Sequence, residues 1–377
     1  MIDSGKHWLN HFIPHPSALI PSFRPHPFVV MLIEDFDYRL PEELIAQHPL
    51  ERRDAARMLV LDRERRAWVD SQFAELPSLL RAGDVVVFNN TRVFPARLRG
   101  WREPSGGRVE LFLVREREPL VWEALSRPAR RLQAGARLRF GDGRLRAEVI
   151  EALSDGRRVV RFECDAPLDA LLEEIGQTPL PPYIKREDDG ALSAEDRERY
   201  QTVYARERGA IAAPTAGLHF TPRVMEELRA RGAHLIEITL HVGYGTFEPV
   251  RVSDLSRHAV APEQYEISES AAQTINEARR EGRRILAVGT TTTRALESAV
   301  GEDGSLQPGA GLAQLTITPA YRFRAVDALL TNFHLPRSSL LVLVSAFAGR
   351  GFVLDAYRHA VAEQYRFYSY GDCMLII

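Results

Sequence analysis

A strand, a loop, a helix, a second strand and a second loop follow one another within Ile211–Val250, and this succession constrains the fold more than any other part of the chain. The small apolar residues Gly209–Ala213 predict the first strand. Thr221 is a good N-cap and Pro222 suits the first helical position, so a helix should begin here. The second strand is predicted at about His234–His241. Strands joined through a helix favour an α/β sheet whose loops at the carboxyl ends of the strands build the ligand site.

Both loops of this segment are dense in residues that bind or react with ligands. Gly243 and Gly245 suit a tight turn or a close approach of the backbone to a ligand. Their spacing is not that of a dinucleotide-binding glycine motif, and the chain contains no Walker A sequence, so neither nucleotide site is supported. The candidate substrate-binding residues in the two loops are Thr215, Gly217, Gly243, Tyr244, Gly245 and Thr246.

Three histidines each come just after a predicted strand. His219, His241 and His334 are placed where a side chain can abstract a proton near neutral pH or bind a ligand hydroxyl. A structural hydrogen bond is the alternative for each of them taken alone. Glu248 follows the second glycine turn, where a carboxylate can act as a base, bind a ribose or cap a helix. The candidate catalytic residues are therefore His219, His241 and Glu248.

The carboxyl-terminal half continues the alternation of strands and helices. Further strands are predicted at Arg284–Val288, near Gln314–Thr318 and near Ala328–Leu330, with helices between them. This alternation predicts a mostly parallel sheet, or a barrel-like closure of one.

Polar residues also follow three other predicted strands. Thr290, Thr291 and Arg294 open a helix, where exposed amides, hydroxyls and a cation favour an anion or a carboxylate. We expect the remaining polar residues to line the same pocket, with an asparagine-rich turn as the alternative for the first of them. They are Asn90, Thr91 and Arg92 after one strand, and Asn332 and His334 after another.

The stretch between Arg63 and Arg161 has a different texture. Short alternating segments separated by glycine turns, such as Val109–Val114 and Arg144–Ile150, predict a small antiparallel β-barrel. The stretch contains 21 arginines against 13 acidic residues, whereas the whole chain has a net charge of −2. This surplus favours an anionic polymer such as RNA on the barrel. The alternative is that the chain uses arginine wherever it needs a cation.

The expected architecture is an α/β domain formed by residues 31–62 and 162–377, with an inserted β-barrel domain at 63–161. Residues 1–30 are rich in proline and histidine, and we expect a disordered leader or a misannotated extension, with Met31 as an alternative start.

Cysteine content and hydropathy limit the class of protein further. The chain has only two cysteines, Cys164 and Cys373, which argues against a disulfide framework and suits a reducing cytoplasm. Neither has a partner at zinc-ligand spacing, so no metal is expected. Leu340–Ala348 is too short to span a bilayer and predicts a buried helix.

Several long motifs resemble those of the S-adenosylmethionine:tRNA ribosyltransferase-isomerases, a family of queuosine biosynthesis. They extend in order from Asp35 to Ile377 and cover nearly all of the chain after the leader. The most specific are GDVVVFNNTRVFPARLRG, APTAGLHFT, TLHVGYGTFEPV, AVGTTTTRALES, LLTNFHLPRSSLLVLVSAFAG and YRFYSYGDCMLI.

The resemblance implies an α/β domain with an inserted β-barrel, and it implies a reaction. The ribosyl part of S-adenosylmethionine would be transferred to 7-aminomethyl-7-deazaguanine at the tRNA wobble position and rearranged to epoxyqueuosine, with release of adenine and methionine. S-adenosylmethionine would then be a consumed substrate, with no further cofactor. The expected partner is the anticodon stem-loop of tRNA, and the expected enzyme is a cytoplasmic monomer without a membrane attachment.

The chain departs from the family pattern at two positions. Where the family usually reads H-x-M-H-x-E, the chain has His258–Glu263 with Ala261 in place of the second histidine. Ala320 stands where glycine is usual before Tyr321. Pro262, next to the first change, predicts a reshaped loop.

Overall fold

The computed structural model describes residues 13–14, 31–186, 191–247 and 250–377. Most of the predicted leader, residues 1–12 and 15–30, therefore lies outside the described residues. The strands, in chain order, are β1 Ile13–Pro14, β2 Arg57–Asp62, β3 Ala67–Gln72, β4 Val85–Asn89, β5 Thr91–Val93, β6 Arg97–Glu103, β7 Gly107–Glu118, β8 Val121–Arg127, β9 Arg137–Phe140, β10 Leu145–Ala152, β11 Arg158–Cys164, β12 Glu207–Ala210, β13 His234–Leu240, β14 Glu263–Ile267, β15 Ile285–Val288, β16 Gly309–Ala313, β17 Ala328–Asn332 and β18 Cys373–Ile376.

The α-helices alternate with these strands mainly in the carboxyl-terminal half. They are α1 Leu76–Leu79, α2 Leu168–Ile175, α3 Ala191–Arg199, α4 Pro222–Ala230, α5 Glu269–Arg280, α6 Thr290–Ala299, α7 Ser339–Ala348 and α8 Arg350–Ala362. Two 3-10 turns, Thr215–His219 and Tyr244–Phe247, fall in the two loops of the central segment.

One large sheet has the strand order β1-β3-β2-β18-β17-β15-β4-β13-β14-β16. The neighbours β17, β15, β4 and β13 run parallel to one another, and β18 runs antiparallel to β17. Pairs at both ends of the sheet, such as β2 with β3 and β14 with β16, are antiparallel. The sheet is therefore mixed, with parallel strands at its centre.

Side chains of the central strands alternate between two apolar cores. Val85 and Val87 of β4 pack on one face with the helices α5, α6, α7 and α8, whereas Val86 and Phe88 pack on the other face with α1 and α4. Strands that are covered on both faces consist of nearly continuous apolar residues. These three layers of helix, sheet and helix confirm the predicted α/β class.

Six strands form a closed antiparallel barrel with the order β10-β11-β8-β7-β6-β9. This arrangement confirms the predicted small β-barrel. Its strands span Arg97–Cys164, while β3 and β4, at Ala67–Gln72 and Val85–Asn89, belong to the large sheet. Within the predicted insertion 63–161, β3 forms a hairpin with β2 of the large sheet and pairs with it along its length. The division of the chain into domains, with the insertion at 63–161, remains a prediction.

The direction of the central strands decides which loops meet. The parallel strands β17, β15, β4 and β13 all end at one edge of the sheet, here called the catalytic edge. Strands of the opposite direction, β2, β18 and β14, begin at that same edge. The loops after the first set and before the second set must therefore lie side by side, as expected for ligand sites of α/β sheets.

Within the described ranges, no single helix has the length and apolarity needed to cross a membrane. Only α7 and α8 taken together pass by length and composition, and they are bent by 115° relative to each other.

A buried carboxylate fixes the chain between α6 and β17. Glu297 of α6 is 1% exposed and accepts hydrogen bonds from the backbone amides of Arg324, Ala325 and Val326 at 2.9–3.1 Å. The hydroxyl of Tyr321 also donates to it, at 2.9 Å. A buried charge with this many donors holds the loop before β17 in register with the sheet.

We predict that Glu297→Gln lowers the free energy of unfolding by about 3 kcal/mol, because the NH2 group of glutamine would replace the oxygen that accepts from the Tyr321 hydroxyl and the Arg324 amide, and hydrogen bonds to charged groups are the strong ones. Urea denaturation of the purified variant measures the change. Glu302→Gln is the matched control, since Glu302 is exposed, and should change the same quantity by less than about 0.5 kcal/mol. Equal effects of the two substitutions would contradict the proposed role of Glu297.

Candidate active site

Loops at the catalytic edge enclose a cleft of about 570 Å³, here called the central cleft. Its wall includes Thr215, Thr290, Thr291, Asn332 and His334, which the sequence pattern singled out as candidate ligand-binding residues. Val242, from the loop after β13, also lines it. Three loops that are far apart in the sequence thus supply polar groups to one cleft.

The amino terminus of α6 presents hydroxyl groups to the central cleft. Gly289, with a φ of 92°, makes the turn from β15 into the helix, a conformation that glycine adopts without strain. The hydroxyls of Thr292 and Thr293 donate back to the carbonyls of Val288 and Gly289, at 2.7 and 3.1 Å. The Thr291 hydroxyl is buried and has no hydrogen-bond partner among the described residues. It is therefore available to a ligand beside the positive end of the helix.

The loop after β17 is held by a buried hydrogen-bond network. The Nδ2 group of Asn332 donates to the carbonyl of Tyr368 at 3.0 Å, while its Oδ1 atom is buried without a partner in the described part of the chain. The ring of His334 lies between Thr331 Oγ1 and the hydroxyl of Tyr357, each 3.3 Å from a ring nitrogen. Burial lowers the pKa of His334 to about 3, so the ring is neutral.

His219 lies next to the central cleft, although its ring is not part of the cleft wall. Its Nε2 atom is 3.2 Å from Nδ2 of Asn332, and its ring packs against Phe73 with centroids 5.3 Å apart. Burial, followed by the charge of Arg366, lowers its pKa to about 4, and a hydrogen bond to the backbone of Arg53 acts in the other direction. His219 is therefore a neutral imidazole that touches the cleft through Asn332.

Aromatic residues that the sequence analysis left unassigned form another wall of the central cleft. The hydroxyl of Tyr183 hydrogen-bonds to Ser369 Oγ, and the Tyr183 and Tyr368 rings meet edge to face with centroids 3.8 Å apart. Tyr200 lines the same cleft. Aromatic faces of this kind stack on nucleobases and attract cations. The tyrosine-rich run Tyr365–Tyr370 was the sequence signal for this wall.

A second cleft of about 540 Å³, here called the side cleft, shares Leu340 with the central cleft. Gly245, His258, Ala261, Glu263 and Arg294 contribute to its wall. Two of the predicted ligand-binding residues, Gly245 and Arg294, therefore lie on the far side of Leu340 from Thr290 and Thr291.

The charge of Arg294 is balanced inside the protein. Its Nη1 atom lies 2.5 Å from Oε2 of Glu263, and its Nη2 atom donates to the carbonyl of Ala313 at 2.8 Å. The other oxygen of Glu263 accepts from the backbone amide of Gly243 at 2.9 Å. Arg294 is thus a buried ion-pair residue that fixes the loop after β13, and its assignment as an anchor for an anionic group remains a prediction with this observation against it.

The loop of Gly243, Tyr244 and Gly245 runs between the side cleft and the barrel. A Cβ atom on Gly245 would lie 2.5 Å from Cβ of Ala261 in the loop before β14, so only glycine fits at this position. The Tyr244 ring packs on Phe112 of the barrel, with centroids 5.8 Å apart. Glu248 lies outside the described residues, and so does the side chain of Thr246.

His241 lies at the end of β13 beside a different partner. Its Nδ1 atom is 3.0 Å from the hydroxyl of Thr91, which also donates to the carbonyl of Glu207 at 3.3 Å. A Cβ atom on Gly209 would lie 2.5 Å from the same ring nitrogen, so a glycine makes room for the histidine. Burial lowers the pKa of His241, while Glu207 and Glu266 act to raise it.

The remaining candidates lie around the central cleft without lining it. Asn90 is buried, donates to Glu237 at 3.3 Å and accepts from the hydroxyl of Thr239 at 2.8 Å. Arg92 is exposed. Gly217 leaves space for Tyr204, whose hydroxyl would be 2.0 Å from an added Cβ atom. These residues shape the loops, and their direct contact with a substrate remains a prediction.

The described residues contain no group of three or more histidine, cysteine or acidic side chains arranged to hold a metal ion.

Comparison with known proteins gives a consistent result. The family model described as "Queuosine biosynthesis protein" matches residues 33–376. The S-adenosylmethionine:tRNA ribosyltransferase-isomerase of Desulfitobacterium hafniense is 49% identical over 347 residues, covering 92% of this chain and 100% of that protein. The crystal structure of S-adenosylmethionine tRNA ribosyltransferase from Thermotoga maritima is 36% identical in sequence, with a TM-score of 0.51, and covers 91% of this chain and 100% of that chain.

The neutral ring of His334 predicts a pH dependence of stability. Its pKa falls from 6.5 to about 3 on folding, so as the pH drops the unfolded chain binds this proton first and stability decreases between pH 6.5 and 3. Between pH 7 and 5 this histidine should cost about 2 kcal/mol of unfolding free energy.

Urea denaturation at pH 7 and pH 5 measures that difference. In His334→Asn, the decrease in unfolding free energy from pH 7 to pH 5 should be smaller than in the wild type by about 2 kcal/mol. The exposed His234 serves as control, and His234→Asn should retain the wild-type dependence. An unchanged dependence in His334→Asn would show that the His334 ring is not held neutral by burial.

Proposed function

This chain belongs to the family of queuosine biosynthesis proteins, and we propose that it acts as an S-adenosylmethionine:tRNA ribosyltransferase-isomerase. The ribosyl part of S-adenosylmethionine is transferred to 7-aminomethyl-7-deazaguanine at the wobble position of tRNA and is isomerised to give epoxyqueuosine. Adenine and methionine leave. The observation that carries the proposal is the convergence of Thr215, Thr291, Asn332 and the tyrosines on one cleft at the catalytic edge.

The central cleft has the chemistry that a cationic nucleoside requires. Rings of Tyr183 and Tyr368 offer faces and edges to adenine and to the sulfonium. Thr291 Oγ1 and Asn332 Oδ1 are buried polar atoms without partners in the described part of the chain, and a bound ribose or nucleobase would satisfy them. Hydrogen bonds to groups that are already desolvated favour the correct ligand over analogues that lack the matching atom.

The proposed chemistry begins with removal of a proton. The positive sulfur of S-adenosylmethionine acidifies the adjacent ribose methylene, and a positioned base takes its proton and starts the loss of adenine. We assign this base to His219 or His241, with Glu248 as the further candidate. Both histidines have lowered pKa values and are therefore unprotonated at neutral pH, as a general base must be.

His219 and His241 approach the substrate from different sides. His219 meets the central cleft through Asn332, whose Nδ2 atom lies 3.2 Å from its Nε2 atom. His241 lies after β13 on the loop that also carries Gly243 and Glu248. Catalytic hydrogen bonds often tighten only when substrate binds, so both histidines are retained as candidates for the base.

The proposal makes S-adenosylmethionine a consumed substrate and requires no other cofactor, since the transfer involves no net oxidation or reduction. The RNA partner would present the anticodon stem-loop, because the wobble base is unpaired there and can be stacked and read directly. We further propose that the enzyme works as a monomer in the cytoplasm, where tRNA is its substrate.

We predict that the protein, incubated with S-adenosylmethionine and tRNA carrying the aminomethyl-deazaguanine base, releases free adenine and methionine in equal amounts. Chromatography of the small molecules measures both. Release should depend on the modified base, so tRNA with unmodified guanine at the wobble position is the control. S-adenosylhomocysteine as the product would indicate a methyltransferase instead, and RNA binding without any product would indicate a non-catalytic module.

We also predict that replacing both His219 and His241 by alanine lowers the turnover number by about 100-fold or more, the usual contribution of a general base. Adenine release under saturating substrates measures the change, and thermal unfolding verifies that the variant is folded. His234→Ala at the opposite edge of the sheet is the control and should retain wild-type turnover. Activity of the double variant within a few-fold of wild type would exclude both histidines as the base.

A further inference from the structure

A cationic pocket lies directly behind the central cleft. It has a volume of about 310 Å³, and Arg53, Arg199, His219 and Ser369 contribute to its wall. Ser369 also lines the central cleft, and His219 is hydrogen-bonded to Asn332 of that cleft. We call it the arginine pocket. It is formed by the chain segments that precede β2 and β18, which begin at the catalytic edge.

The arginines around this pocket bind only neutral backbone groups. Arg53 donates to the carbonyls of Gln201 at 2.6 Å and Glu198 at 3.1 Å. Arg199 donates to the carbonyl of Leu50, and the nearby Arg366 donates to the carbonyl of His48. Among the described residues, none of the three guanidinium groups forms an ion pair with a carboxylate.

Two nitrogen atoms of this group are buried without any partner in the described ranges. They are Nε of Arg199 and Nη1 of Arg366. A buried donor without a partner costs free energy, and the cost is larger for a charged group. Arg199 lines the arginine pocket and the charge of Arg366 acts on His219 in its wall, so an anion in the pocket would lie close to two guanidinium groups that lack a full set of acceptors.

The electrostatic effect of the three cations is visible on their neighbours. Burial lowers the pKa of Arg53, and the charge of Arg199 lowers it further. After burial, the charge of Arg366 is the next cause of the low pKa of His219. Carboxylates act in the other direction, because the charge of Glu198 raises the pKa of Arg53 and the charge of Asp372 raises the pKa of Arg366.

The arginines of the barrel are arranged differently. Arg115, Arg117 and Arg157 converge on the single buried carboxylate of Glu123. Arg144 is paired as well, with Asp142 and Glu174. Several arginines of the barrel are therefore held by carboxylates, whereas those of the arginine pocket are held by backbone carbonyls next to the central cleft.

The arginine pocket opens into a wider groove on the surface. Arg53 and Arg199 line both, and the groove continues past Arg52 and Arg223 with a volume of about 820 Å³. Three carboxylates, those of Glu51, Asp54 and Glu198, also line the groove, and Asp54 is paired with Arg52 and Arg223. A path that leads from an enclosed cleft, past fixed cations, to an open groove suits a chain of anionic groups better than a single carboxylate.

We propose that the arginine pocket binds a backbone phosphate of the RNA, next to the nucleotide whose base enters the central cleft. Phosphate contacts of this kind position a nucleic acid and bind independently of base identity. The proposal rests on the proposed function, because it takes RNA as the polymer. The other anion of the reaction, the carboxylate of the methionine part of S-adenosylmethionine, shares the chemistry and must be distinguished by experiment.

The test measures the two ligands separately with Arg199→Gln and Arg366→Gln. Fluorescence anisotropy gives the Kd of a labelled, unmodified anticodon stem-loop RNA, and calorimetry gives the Kd of S-adenosylmethionine. We expect the RNA Kd to rise roughly tenfold for each variant. The slope of log affinity against log salt should fall by about 0.7, the value for one lost phosphate contact of a single strand. The Kd of S-adenosylmethionine should stay at its wild-type value.

Two matched controls remove an exposed arginine elsewhere. Arg231→Gln alters the end of α4, and Arg146→Gln alters the outside of the barrel. Both should retain wild-type RNA affinity, and thermal unfolding should show all four variants folded. If Arg146→Gln weakened RNA affinity as much as Arg199→Gln does, the RNA would lie on the barrel and the proposal would be overturned.

A rise in the Kd of S-adenosylmethionine with unchanged RNA affinity would assign the pocket to the methionine carboxylate and would also overturn it. So would no change in either Kd. These measurements need no turnover, so they are separate from the test of the proposed function. Adenine release by the wild type could fail while the arginine pocket still binds RNA, and the reverse could also be found.

Discussion

The parallel alignment of β17, β15, β4 and β13 is the constraint on which the site depends. Backbone hydrogen bonds between these strands place their carboxyl ends at one edge, so each following loop contributes to the same surface. The antiparallel insertion of β18 beside β17 adds the segment before it, Tyr368–Asp372, to that edge. No loop needs to be long to reach its neighbours. The cleft is therefore a consequence of sheet topology, and the side chains determine what it binds.

Burial then determines the charge state of the histidines. His334 is 5% exposed in the wall of the central cleft and has a pKa of about 3, and His219 has a pKa of about 4. A cationic substrate would be repelled by an imidazolium next to it, so neutral rings suit a cleft for a sulfonium. The positive charge of this region instead lies in Arg53 and its neighbours behind the cleft, where an anionic partner can meet it. The proposed sulfonium site and the proposed phosphate site thus lie on either side of His219, Asn332 and Ser369.

Local signals in the sequence were sufficient to predict many of the helices and strands. Thr221 caps α4 as predicted, accepting from the Val224 amide at 3.3 Å, and the helix begins at Pro222. The strand predicted near Gln314–Thr318 was wrong, because the strand is Gly309–Ala313. Glycine has a low strand propensity, but a Cβ atom on Gly311 would lie 2.5 Å from the ring of Tyr265 on the neighbouring strand. Packing between strands overrode the local preference there.

Long-range pairing was the part that the sequence could not reveal. The loops that share the central cleft were identified from residue type and position after a strand, which is a local pattern. The ion pair of Arg294 with Glu263 joins residues 31 positions apart, and nothing near Arg294 indicates that its charge is already balanced. The aromatic wall brings together Tyr183 and Tyr368, which are even further apart along the sequence. Such contacts depend on which strands become neighbours, which is decided by the whole sheet.

The barrel is tied to the catalytic edge through residues on both sides of one loop. Tyr244 packs on Phe112 of the barrel, while the preceding Gly243 is hydrogen-bonded to Glu263 and thereby linked to Arg294. A second link is Ile211, which is buried in the barrel core immediately after β12. Because both links lead directly into loops of the catalytic edge, a displacement of the barrel would have to move the loop after β13. The amide of Ile211 donates to the carbonyl of Val242, next to His241, so the position of this histidine is coupled to that of the barrel.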